Sequence, residues 1–78
     1  MEAVLLDIKE FIKERNEAFF SLDKDKIIAY CKKHNAEIPE DEVVFWAGVR
    51  YAILGIASST NDQREEARHW LISNGFNP

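Results

Sequence analysis

The sequence predicts an all-α protein, a compact bundle of four helices at about 3–20, 24–34, 40–56 and 61–73, with the third helix central. Apolar residues recur at spacings of three and four, which is the helical period. No apolar–polar alternation bounded by turn signals occurs, so nothing reads as a strand. The segments between the apolar runs are rich in capping and turn-forming residues. All 78 residues are expected to form one helical domain, because the chain falls short of the length that divides into two. Hydrophobic residues make up 46% of it, including two Trp, five Phe and two Tyr, and the net charge is only −4. That composition excludes a disordered chain and supplies a core.

The first helix places Val4, Leu5, Ile8, Phe11, Ile12 and Phe19 on one stripe, with charged residues between them. Asp23 suits the N-cap of the second helix, with Leu22 before it and Ile27 after it as a hydrophobic staple. Ile27, Ile28 and Cys31 are expected to face inward with Tyr30 flanking. Lys32, Lys33 and His34 suit the helix's negative end, and Asn35 its stop.

Ile38-Pro39 reads as a connector that leads into the third helix, because proline suits a first helical turn. Glu40, Asp41 and Glu42 then complement the positive end of the helix dipole. Beyond them the third helix has no fully polar side, so it is expected either to be central or to lend a face to a partner. Gly48 and Gly55 weaken it, and a close backbone approach on their face is the expected compensation. Thr60 and Gln63 fit a capping box for the fourth helix, whose stripe is Ala67, Trp70 and Leu71. Ser73-Asn74-Gly75-Phe76 fits a left-handed helix stop with Phe76 folding back.

No motif specifies catalysis. Cys31 and His34 lie three apart on one helix, yet two ligands do not make a structural metal site, and a thiol nucleophile would also need an oxyanion site and a pocket. Asp23-Lys24-Asp25 opens like a calcium loop, but Ile28 stands where that loop needs glycine. No catalytic residue, metal or cofactor is therefore expected. The single cysteine fits a reducing, cytoplasmic setting, and the longest apolar run, 43–57, is too short and too interrupted for a membrane span.

These exclusions leave protein–protein association, with a partner or with a second copy as a homodimer. The candidate face is Val43, Trp46, Ala47, Arg50 and Leu54, where Trp46 and Arg50 lie one turn apart and can stack. A small acidic chain of this kind suits an accessory or inhibitor protein, such as phages and mobile elements encode. The alternative is nucleic-acid binding by the fourth helix through Asn61, Gln63, Arg64 and Arg68. Glu65 and Glu66 oppose it, and no segment carries the basic excess that tracks phosphates.

Overall fold

The computed structural model describes the backbone of residues 2–78 and the side chains from Ile8 onward, so the expectations for Val4 and Leu5 lie outside the described residues. It contains four α-helices: α1 (Glu2–Ser21), α2 (Lys24–Lys33), α3 (Glu42–Gly55) and α4 (Asn61–Ser73). Helix α1 packs on α2 and α3 packs on α4. The chain divides into two compact units, residues 1–37 and 38–78.

In the first unit, α1 ends where Ser21 Oγ donates to the Ala18 carbonyl and in turn accepts from the Asp23 amide. Leu22 makes the turn with φ 52°, a left-handed conformation that a branched side chain rarely adopts. The Asp23 side chain caps α2 by accepting from the amides of Asp25 and Lys26. Phe19 meets Tyr30, Glu14 meets Lys33 and Phe11 meets His34, so the two helices run antiparallel. Tyr30 is buried and Cys31 is only half-buried, so the inward side of α2 runs through Ile27 and Tyr30 to His34. This differs from the expected Ile27, Ile28 and Cys31, because the ring of Tyr30 fills the seam against Phe11 and Phe19. Helix α2 stops at Asn35, whose φ of 56° lets Asn35 and Ala36 donate to the carbonyls of Lys32 and Cys31. That is the pattern of a Schellman motif with asparagine in the left-handed position.

In the second unit, α3 begins two residues later than Pro39 suggests. Asp41 stays extended as the N-cap and accepts from the amides of Val43 and Val44, at 2.9 and 3.1 Å. A short carboxylate side chain satisfies two of the amides that a helix start leaves free, which favours the cap over the first turn. Glu40 therefore lies outside the helix, and at the other end Ile56 is the C-cap. The capping box of α4 forms as expected, with Thr60 and Gln63 exchanging backbone and side-chain bonds. Gly75 takes φ 83° after α4, and the amides of Gly75 and Phe76 donate to the carbonyls of Ile72 and Leu71. Phe45, Val49, Ile53, Ile56, Ala67 and Leu71 are among the buried core residues of this unit.

Two side chains tie the α3–α4 connection down. The buried Ser59 hydroxyl donates to the Ile53 carbonyl at 2.6 Å. Arg64 reaches back from α4 to donate to the carbonyls of Ile56 and Ala57. A cation is thereby placed at the C-terminal end of α3, the negative end of its dipole.

Candidate functional site

The five residues of the expected interaction face do not form one exposed patch. Val43 is exposed, Trp46 and Leu54 are half-buried, and Ala47 and Arg50 are buried. Arg50 is the centre of this arrangement, with 8% of its surface exposed. Its guanidinium carbon lies 5.4 Å from the ring centroid of Trp46 on α3 and 5.1 Å from that of Trp70 on α4. The stack of Trp46 on Arg50 follows from their spacing of one turn. Trp70 joins from the neighbouring helix.

A guanidinium is flat and weakly hydrated, so it can enter such a slot where an ammonium would be far costlier to desolvate. Two aromatic faces offer it negative potential, and desolvated cation–π contacts are worth about 2 kcal/mol. Arg50 Nη2 also donates to Glu66 Oε1 at 3.2 Å, while Nε and Nη1 are buried without a hydrogen-bond acceptor. The carboxylate partner is itself half-exposed. Around this core, Trp46 Nε1 donates to Glu42 Oε1, Phe45 meets Trp46 edge to face, and Phe76 stacks on Trp70 with 18° between ring planes. Tyr51 Oη donates to the Asn77 carbonyl at 2.6 Å, fixing the segment after α4 against α3.

The exposed face of α3 lies elsewhere. Val44 and Tyr51 are 47% and 41% exposed, and Gly48 and Gly55 lie beside them. The close approach expected at these glycines does not occur: a β-carbon built on either would meet nothing within 4 Å. From Val44 to Gly55 this face runs for about 16 Å along the helix, without an acidic or basic side chain of Asp, Glu, Lys, Arg or His.

The alternative nucleic-acid residues are drawn into local structure. Gln63 completes the capping box, Arg64 binds the carbonyls at the end of α3, and Arg68 pairs with Glu65. Asn61 is exposed at the first position of α4.

In the first unit, Lys33 Nζ bonds Glu14 Oε2 at 2.9 Å, and His34 Nε2 lies 3.5 Å from Glu14 Oε1. The hydrogen bond from Lys33 holds the Glu14 carboxyl below its ordinary value. Burial pushes the Cys31 thiol up, opposite to what an activated thiolate needs. A groove of about 360 Å³ lies between α1 and α2, with Ala18, Ala29 and Tyr30 in its lining and Glu14, Glu17, Lys26 and Lys33 around them. Carboxylates and ammoniums alternate there, so it has no single charge preference.

Among the described residues no three His, Cys, Asp or Glu side chains gather as a metal site would require. No described helix is long and apolar enough to cross a membrane. The contribution of Trp70 and Glu66 could not be read from spacing, because both act across the α3–α4 seam, and only their chemical types hinted at it. No protein-family model matches this chain, and no curated protein or solved structure matches it.

Proposed function

We propose that the chain is a small non-enzymatic protein–protein interaction module that self-associates through the open face of α3. The observation that carries this reading is the uncharged strip of Val44, Gly48, Tyr51 and Gly55, exposed on a helix whose opposite face is core. Exposed apolar strips of this kind mark association surfaces. A second copy is the favoured occupant because the strip presents no charge to oppose its own image, although the chain as a whole carries −4. The missing β-carbons at Gly48 and Gly55 let a second helix come close. The single half-buried thiol suits a reducing, cytoplasmic setting.

Light-scattering mass across a concentration series tests this. The expected result is a dimer that survives high salt and shows no excess absorbance at 260 nm. Gly48→Leu sharpens the test, because its side chain starts from open space in the single chain and blocks approach in the pair. A folded monomer is expected for that variant. A natural chain that stays monomeric at every concentration overturns the proposal, and absorbance lost at high salt would point instead to nucleic acid.

A further inference from the structure

The segment that follows α4 is held across the second unit by two anchors beyond its helix stop. Phe76 stacks on Trp70, with ring centroids 6.3 Å apart, and the Asn77 carbonyl accepts from Tyr51. Trp70 also covers the Arg50 guanidinium. The arc of α3 between Arg50 and Tyr51 contains Leu54 and Ala47, so the segment bridges the two sides of the face that the sequence marks for interaction. Its backbone pivots at Gly75, whose φ of 83° favours glycine. Gly75, Asn77 and Pro78 are exposed and only Phe76 is half-buried.

Two features mark the surroundings of this segment. The segment touches Trp70 and Tyr51, and Trp70 in turn covers Arg50 beside Trp46, the residue types that dominate binding hot spots. Behind Trp70, Arg50 Nε and Nη1, in an arginine more than nine-tenths covered, have no acceptor. Buried donors are satisfied in most native structures, so these two are available to an acceptor brought from outside.

We infer that Gly75–Pro78 is an intramolecular strap that a partner's extended peptide displaces, the peptide laying an aromatic side chain on Trp70 and offering a neighbouring carboxylate to Arg50. The peptide's aromatic ring replaces Phe76, and its main-chain carbonyl takes the Tyr51 hydroxyl from Asn77. Its carboxylate supplies what the strap lacks, a charge-assisted bond to the guanidinium. The strap competes at high effective concentration, which keeps the surface covered until such a peptide arrives. This docking shares Tyr51 with the proposed self-association but centres on Trp70 and Arg50, which that strip does not include, and it does not depend on the dimer.

The test is a solution NMR titration of the full chain, following the indole N–H signals of Trp46 and Trp70. One probe is a synthetic peptide copying residues 73–78, and the other has aspartate at the position of Asn77. Phe76→Ala frees the strap and is expected to raise affinity for both probes at least fivefold. The aspartate peptide is expected to bind at least threefold more tightly than the other. Equal affinity of the natural chain and Phe76→Ala, or no binding to either, overturns the strap. Equal affinity of the two peptides overturns the role given to Arg50. Should Phe76→Ala fail to fold, Gly75→Ala strains the strap at its φ of 83° without altering the surface the peptide uses, and is expected to raise affinity about twofold; an unchanged affinity overturns the strap equally. A dimer that forms whether or not these peptides bind keeps the two proposals distinguishable.

Discussion

In residues 1–37 a helix of 20 residues is paired with one of 10, whereas in residues 38–78 the paired helices have 14 and 13. A helix rises about 1.5 Å per residue, so α2 can lie along only about half of α1. The consequence is visible in the side chains. Ile8, Phe11 and Ile12 of α1 remain exposed, Ile8 to 50%, and the buried apolar residues described in that unit are Ala18, Ile27 and Tyr30. The matched pair buries Phe45, Ala47, Val49, Ile53, Ile56, Ala67 and Leu71. A similar stock of apolar residues therefore yields different cores, and partner length decides how much of the stripe is used.

The sharpest way to break this comparison is to cut one methyl-rich side chain from each unit. Leu71→Ala and Ile27→Ala each empty a site with at most 1% exposure, where such truncations cost about 2–5 kcal/mol. Leu71→Ala is expected at the upper end, because more of its surroundings are fixed by neighbouring core. Native-state hydrogen exchange should show Ile27→Ala releasing protection within residues 2–37 alone. Release throughout 38–78 as well would mean that the two units fold as one.

A smaller effect is expected at the ion pair. Glu66→Ala leaves the Arg50 charge without its carboxylate, and with Glu66 half-exposed the loss should be about 1–3 kcal/mol in denaturant unfolding. Arg50→Met is expected to cost less than Glu66→Ala, because a flexible apolar chain can fill the slot between the rings and removes the two unpaired donors. The reverse order would show that the stack on Trp46 and Trp70 outweighs the desolvation of the charge.

The smallest effects concern pH, and they fall in the first unit. Glu14 is lowered from an ordinary 4.5, chiefly by the Lys33 hydrogen bond. Its contribution is present above that value and lost as the pH falls below it. Burial raises Tyr30 above its ordinary 10.0 and Cys31 above 9.0, so the unfolded chain gives up these protons first and stability declines in alkali. Lys33→Met should flatten the acid limb of a thermal-stability profile and leave the alkaline limb. Cys31 should alkylate slowly in the native chain near neutrality and quickly once unfolded.

Features that depend on neighbours in the chain were legible before the structure. Asp23, the Thr60–Gln63 box and the Gly75 stop each involve groups two to five residues apart, and they form where the residue types place them. The start of α3 was harder, because Asp41 reads with Glu40 and Glu42 as a first-turn charge, whereas its short side chain stays outside as the N-cap. Arg50 shows the other limit. Its stack on Trp46 is a matter of one helical turn, but Trp70 and Glu66 depend on how α4 is rotated and slid against α3. That register is set by the packing of many side chains at once. Gly48 marked a place where backbones could come close, yet a β-carbon built there would meet nothing within 4 Å among the described residues. The exposure of Val44 and Tyr51 follows from the side of α3 that α4 covers, which the uniform apolar pattern of α3 leaves open.

Both tryptophans of the chain, Trp46 and Trp70, stand in the second unit on either side of one guanidinium. Excited at the red edge, where tyrosine does not absorb, the protein's intrinsic fluorescence therefore watches residues 38–78 and is blind to the unit of α1 and α2. Circular dichroism sees all four helices. Laid over one another along a single melt, the two signals would separate the unfolding of one hairpin from that of the other without any label or substitution.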